Sequence, residues 1–307
     1  MLRWGLVATI LAPTADVLRF AAYHLEAGAH RLYIYLDDPE ADAYAPLKAH
    51  PKIRVQKCDD AYWAKVGGKR PAKHQVRQSK NATHAYHRKT EVEWLIHMDV
   101  DEFIVSDRDV GTELYELPDQ KLCARLRPME QLVGSGQSFK AFVPNGPNRH
   151  SIVKDLYPEF GKYVKGGFLS HVAGKLFVRT ELENINLRIH NVFQGEETNP
   201  HQIELSSIDL AHCHAKPWTE WLTAFRYRLE KGSYRAELSP ANKGEFSLHD
   251  LFRTLEETEG KTGLRRFYDE LAIDSPALQE RLTSHDLLRH ADLDLDVKLA
   301  RHFPDFT

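Results

Sequence analysis

Asp99 and Asp101 are separated by one residue, and the apolar run Trp94-Leu95-Ile96-His97-Met98 leads directly into them. On an extended backbone, residues two apart point to the same side, roughly 6.5–7 Å apart at Cα. Two carboxylates placed in that way can converge on one hard divalent cation, which prefers oxygen ligands and completes its shell with phosphates and water. With a diphosphate as the other ligand, the cation neutralises charge that develops on a leaving group. Asp-x-Asp alone is a weak signal in a chain with 44 acidic residues. Asp292-Leu293-Asp294-Leu295-Asp296 repeats the pattern where a solvated face is the plain reading. What separates Asp99 and Asp101 is context: apolar residues precede them, and Glu102 then Phe103-Ile104-Val105 follow.

Other polar groups could serve the same chemistry. His212 and His214 alternate at the end of a strand-like run, with Lys216 close behind. Either one imidazole completes a metal shell or meets a diphosphate, or both are hydrogen-bonded structural histidines. Asp37, Asp38 and Asp59 follow apolar runs, where they either contact a nucleotide or cap helices and turns. Lys73, His74, Arg77 and Lys80 recur near helical periods. One face of that helix, through Lys73 and Arg77, can approach a diphosphate; the alternative is a solvated charged face. Lys175 and Arg179 flank a short apolar run and suit either an acceptor or diphosphate contact or plain surface charge.

The elements that must hold these residues alternate in type through the first third of the chain. Leu6–Ile10 reads as a buried strand. A helix then carries Leu18, Ala21, Ala22 and Leu25 on one face, capped by Thr14 or Asp16 and ended by Gly28. Leu32–Leu36 is a second strand and Ile53–Val55 begins a third, ending near Cys58-Asp59-Asp60. A basic helix spans about 74–89, and Trp94–Met98 is a fourth strand. Strands separated by helices imply parallel pairing with right-handed crossovers, and ligands in open α/β sheets bind outside the carboxyl ends of the strands. Asp37, Asp38, Asp59, Asp60, Asp99 and Asp101 all lie at such ends. Beyond residue 105, β-like runs at Ser138–Val143, Lys175–Arg179, Leu187–Phe193 and Ile203–His212 are separated by Gly- and Pro-rich stretches. From Pro217 the pattern is mainly helical, starting with Trp218–Lys231. The simplest layout is a domain over 1–216, with a nucleotide-binding half to about 105 and an acceptor-side half beyond it, then a helical extension over 217–307.

Composition removes several classes. The 307 residues carry a net charge of −3, so no polyanion-binding surface is indicated and nucleic acid is a poor partner. Three scattered cysteines form no CxxC pair, so neither a disulfide framework nor a zinc knuckle is indicated, and a reducing, cytoplasmic setting fits best. Arg3 followed by the apolar stretch from Trp4 to Ala12 is short for a secretion signal and reads as a first strand. Nowhere do about 18 apolar residues run consecutively, so no membrane span is expected, while peripheral contact with a membrane stays compatible.

The segment from Trp94 to Phe103 resembles the "W-hydrophobic-x-x-D-x-D-E-F" element of glycosyltransferase family 2-like proteins. The opening, with Tyr23-His24, Gly28 and Leu32-Tyr33-Ile34-Tyr35 ending in Asp37-Asp38, is similar to the same group. So are Gly174-Lys175-Leu176-Phe177-Val178-Arg179, Arg188-Ile189-His190-Asn191 and His212-Cys213-His214-Ala215-Lys216. The resemblance covers about residues 4 to 232. It implies a GT-A fold, a Rossmann-like and mostly parallel sheet with flanking helices. It further implies a nucleoside-diphosphate sugar donor, commonly a UDP-sugar, a saccharide acceptor, and Mn²⁺ or Mg²⁺ at Asp99 and Asp101. Cys213 and Pro217 depart from the usual Tyr and Ser of the later motif. An inverting transfer also needs a carboxylate base; Glu159, Glu196 and Glu197 lie in the acceptor-side half, Glu159 being the candidate, and no spacing selects among them. A haloacid-dehalogenase-like phosphatase would want its Asp-x-Asp on the first strand. A nucleotidyltransferase would want a Gly-rich, cationic loop where Ala12-Pro13-Thr14-Ala15 stands. A non-catalytic sugar-nucleotide-binding or glycan-binding module is the remaining alternative.

Overall fold

The computed structural model describes residues 2–88, 90–230, 234, 236 and 246–306. In chain order it opens with β1 (Trp4–Ile10), α1 (Thr14–Glu26), β2 (Arg31–Leu36), α2 (Tyr44–Ala49) and β3 (Ile53–Lys57). There follow α3 (Asp60–Val66), α4 (His74–His87), β4 (Trp94–His97), β5 (Glu102–Ser106) and α5 (Val110–Tyr115). The middle of the chain holds β6 (Cys123–Gln131), β7 (Ser138–Ala141), α6 (Arg149–Leu156), β8 (Lys175–Arg179) and β9 (Ile185–Leu187). Next come β10 (Val192–Gln194), β11 (Glu197–Thr198), β12 (Ile203–His212), α7 (Trp218–Glu230) and α8 (Leu248–Glu259). The last elements are α9 (Lys261–Ala272), α10 (Pro276–Ser284), β13 (Leu288–His290) and α11 (Leu295–His302). The fold class is α/β with a mixed sheet and flanking helices. No helix among the described residues is long and apolar enough to cross a membrane.

Two compact units share the chain. The first takes Met1–Arg127, Ala173–Leu210 and Leu293–Thr307; the second takes Pro128–Val172 and Ala211–Asp292. In the first unit β4, β1, β2 and β3 lie side by side and parallel, with Val7 opposite both Tyr33 and His97. β8 then adds antiparallel to β4, and the start of β6 adds antiparallel to β8. β1 is buried along its whole length, as a parallel strand covered on both faces must be. Val7, Tyr33 and Tyr35 share a core cluster with Trp63 of α3 and Ala82, Ala85 and Tyr86 of α4. α1 buries Leu18, Phe20, Ala21, Ala22 and Leu25, and its Tyr23 hydroxyl donates to the Ile104 carbonyl at 2.9 Å.

Local signals account for most boundaries. Gly28, at φ +94°, ends α1, and the amide of Ala29 reaches back to the His24 carbonyl at 2.9 Å. The start of α1 differs from the sequence expectation: Pro13 occupies the cap position with no side-chain cap, and Asp16 instead pairs with Arg19 at 3.2 Å. The expected run Leu187–Phe193 is two strands, β9 and β10, which fold back on each other with Val192 opposite Leu187. The end of the basic helix at Lys89 and of the later helix at Lys231 lie outside the described residues.

The second unit has its own core. Phe225 and Trp221 of α7, Phe252 of α8, Phe267 and Tyr268 of α9, and Leu278 of α10 pack together around Val153 and Tyr157. The end of β6, β7 and β13 form its antiparallel ladder, Met129 opposite Ala141 and Phe139 opposite Arg289.

Candidate functional site

At the carboxyl end of β4 the chain turns sharply through Asp99 to Glu102. The turn is closed from both sides: the Glu102 amide donates to the Asp99 carbonyl at 3.1 Å, and the Asp99 amide donates to the Glu102 carboxylate at 2.9 Å. Lys175, fully buried at the start of β8, donates to Asp99 at 2.6 Å and lies 3.3 Å from Glu102. The Gln78 amide from α4 bonds the other oxygen of Asp99. Burial opposes the charge on Asp99, but Lys175 outweighs it and holds the carboxyl well below its ordinary range. The two carboxylates answer on Lys175, raising its pKa against the effect of burial. Asp101 stands half-buried on the same turn. Burial, reinforced by Lys175, pushes neighbouring His97 down to about 4, so its ring is neutral at ordinary pH.

A second ionic cluster sits after β2. Asp37 is 1% exposed, and Arg77 grips it with Nε at 2.9 and 3.0 Å and Nη2 at 2.7 Å. Arg70 adds a bond at 2.9 Å and His74 one at 3.2 Å. Burial alone would raise the Asp37 carboxyl, yet the bonds from His74, Arg77 and Arg70 hold it well below the usual carboxylate range. The remaining guanidinium nitrogen of Arg77 donates to the carbonyls of Pro71 and Ala72 at 2.9 and 2.8 Å. Arg77 is thereby a strut between α4, the loop before it and the end of β2.

The other expected residues fall as follows. Asp38 is exposed and accepts from the Glu40 amide at 2.9 Å, a turn role. Asp59 caps α3, accepting from the Tyr62 amide at 2.7 Å. Lys73 is exposed at the cap position of α4. Glu159 is exposed in the second unit and pairs with Arg266 at 2.8 Å. Glu196 and Glu197 are exposed at the β10–β11 hairpin. Arg179 bonds the Lys121 carbonyl at 2.9 Å and lies 4.6 Å over the Trp94 ring.

His212 and His214 belong to the second unit, with ring centroids 5.0 Å apart and ring nitrogens within 4.8 Å. His171 joins them, its ring 5.3 Å from that of His212. His212 thus has an imidazole neighbour on either side, and imidazole nitrogen is a ligand type that borderline cations such as Mn²⁺ or Zn²⁺ accept. Sequence reasoning missed His171, because nothing local marks a histidine some 40 residues from its partners. The loop before it is fixed by Glu130, which accepts from the amides of Leu169 and Ser170 at 3.1 and 2.7 Å and pairs with Lys140 at 2.9 Å. Burial pushes the Glu130 carboxyl up, and Lys140 with Ser170 brings it down to about 2. A narrow cleft nearby is lined by Glu130, Leu169, His214, Lys216, Trp221 and Tyr268.

Gln78, Glu102 and Arg70 were also absent from the sequence-level site. For Gln78 the signal is spacing, since 74, 77, 78 and 81 lie on one face of α4 and three of the four are buried; Glu102 and Arg70 carry no comparable local signal.

No protein-family model matches the chain, and no curated protein matches it. Among solved structures, the crystal structure of a mycobacterial protein aligns over 71% of this chain and 69% of its own, at 11% identity and a TM-score of 0.35.

Proposed function

We propose that the protein is a metal-dependent glycosyltransferase of GT-A type, moving a sugar from a nucleoside-diphosphate donor, in first instance a UDP-sugar, to a saccharide hydroxyl. One observation carries the reading. Asp99-Val100-Asp101 lies directly outside the carboxyl end of β4, a parallel strand next to β1, and Asp37 and Asp59 lie beyond the ends of β2 and β3. Crevices at those ends are where open α/β sheets take nucleotides. The resemblance of Trp94 to Phe103 to the DxDEF element supports the same assignment.

The turn offers carboxylate oxygen, the ligand type that a hard divalent cation prefers. Asp101, half-buried on the turn, is the carboxylate presented to it. Asp99, held by Lys175 and Gln78, fixes the turn that aims Asp101. When bound, the cation offsets negative charge on the departing diphosphate. The acceptor oxygen forms the new bond to the anomeric carbon as the bond to diphosphate breaks with its electron pair, and the acceptor proton passes to a carboxylate base.

Thermal-shift measurements with UDP-, GDP- and CMP-sugars, with and without Mn²⁺, test the reading. Metal-dependent stabilisation by one donor class is expected; none from any donor refutes it. Asp101→Ala should abolish sugar transfer with folding intact, and retained turnover removes Asp101 from the chemistry. Metal-dependent donor binding without turnover would instead favour the non-catalytic binding module.

A further inference from the structure

We infer that the first unit carries a separate anion site, a cationic cleft on the outer side of α4 built for a phosphate-bearing ligand. Between Ala61 and Thr90 the chain has eight Lys and Arg residues and no Asp or Glu, within a protein of net charge −3. The concentration is therefore local.

The structure gathers part of it into a cleft of about 570 Å³, within the range that suits small-molecule ligands. Lys65 at the end of α3, Lys80 in α4 and Arg188 just past β9 supply the cations; His84, Ser79 and Asn186 supply further polar groups. These α4 positions lie off the buried face, and neither Asp37, Arg77, Gln78 nor Asp99 lines the cleft. Residues 77, 78, 81, 82, 85 and 86 are buried, whereas 76, 79, 80, 83, 84 and 87 are at least partly exposed. The cleft is thus distinct from the strand-end aspartates.

Two features point to an anionic occupant. First, among the described residues Lys65, Lys80 and Arg188 make no ion pair, although most Arg residues of this chain do. Like charges collected in one concavity without counter-charge repel each other and raise the local concentration of anions. Second, the walls are fixed before any ligand arrives. Thr83 bonds the Leu187 amide at 3.0 Å, the His87 ring meets the Ile185 carbonyl at 2.7 Å, and the Tyr35 hydroxyl meets His84 Nδ1 at 2.8 Å. α4 and β9 thereby present Lys80 and Arg188 on a rigid frame, and Arg adds the bidentate geometry that phosphate oxygens match.

Phosphate could reach the cleft on a free metabolite or on a lipid headgroup. Calorimetric titration with inorganic pyrophosphate, in EDTA and low salt, tests the first source. Co-sedimentation with phosphatidylglycerol vesicles, against phosphatidylcholine vesicles, tests the second. EDTA keeps the outcome independent of the metal-dependent donor site, so failure of one proposal leaves the other standing. Binding in either arm should fall at least tenfold in Lys80→Glu/Arg188→Glu and weaken with added salt. It should be unchanged in Asp101→Ala and in Lys48→Glu, on α2. Saturable pyrophosphate binding identifies a free ligand; selective sedimentation with anionic vesicles alone identifies a headgroup. Absence of both, or binding that survives the double charge reversal in a folded variant, overturns the inference.

Discussion

Replacing Lys140 by Met is the sharpest test of how the second unit is held together. Lys140 is 1% exposed and Glu130 3%. The ammonium sits 2.9 Å from the carboxylate and donates to the Leu271 carbonyl at 2.8 Å. Glu130 is displaced from 4.5 to about 2 in the folded protein, and one pH unit corresponds to about 1.4 kcal/mol, so its charged form is favoured by about 3 kcal/mol. Methionine fills most of the volume but strands the carboxylate, and removing one partner of a buried pair typically costs about 3–5 kcal/mol. A loss of that size is expected near pH 7.

The pH dependence has a defined sign. In the parent protein Glu130 has a depressed pKa. Its stabilisation is present above about 4.5 and is lost as pH falls towards 2. In Lys140→Met burial acts unopposed by the lysine, so protonation favours the folded state and the deficit narrows as pH drops from neutral towards 4. Urea unfolding followed by tryptophan fluorescence over that range measures it. Adding Glu130→Gln to the Lys140→Met variant should recover much of the loss, since an amide oxygen still accepts from Leu169 and Ser170. Hydrogen exchange at residues 169–171 should quicken in the single variant, loosening His171. A deficit below about 1 kcal/mol, or one independent of pH, refutes the reasoning.

Three further outcomes follow from the first unit. Asp37→Asn removes the charge behind the three bonds that the buried Arg77 guanidinium makes to this carboxylate, and urea unfolding should show a loss of about 3 kcal/mol; a change within experimental scatter would contradict the strut. Burial pushes Cys58 and Cys123 up to about 12, so both should resist thiol reagents near pH 8 until urea is added, and native labelling of either would count against their placement. Burial also pushes His24 down to about 4, with its Nδ1–H donating to the Phe20 carbonyl at 2.9 Å. Its ring should stay neutral by NMR to about pH 5. Because the folded value lies below the unfolded one of about 6.5, protonation favours the unfolded chain, and this contribution declines as pH drops from 6.5 towards 4; titration near 6.5 in the folded protein would sink it.

Much of the first unit is readable from local pattern. The runs at Leu6–Ile10, Leu32–Leu36, Trp94–Met98 and Ile203–His212 correspond to β1, β2, β4 and β12 within a residue or two. Apolar runs flanked by turn residues carry that information without help from distant partners. Legibility ends where roles depend on contacts distant in sequence. Asp37 and Asp59 look alike as strand-end aspartates, yet one is clasped by Arg77 and the other caps α3. Lys175 reads equally well as surface charge, and only pairing of β8 with β4 buries it beside Asp99. Glu130 carries no signal at all, because the Lys140 and Leu169–Ser170 that satisfy it are fixed by the packing of other elements.

The route of the chain has a consequence for its synthesis. α11 lies against α1: Arg19 pairs with Asp296 at 2.7 Å, Arg301 with Glu26 at 3.1 Å, and Lys298 sits 5.4 Å over the Tyr23 ring. The ribosome delivers this helix only after every residue of the second unit, so α1 waits with its outer face bare while everything between them is made. Nascent chains stalled before residue 293 should therefore be the species that chaperones hold longest.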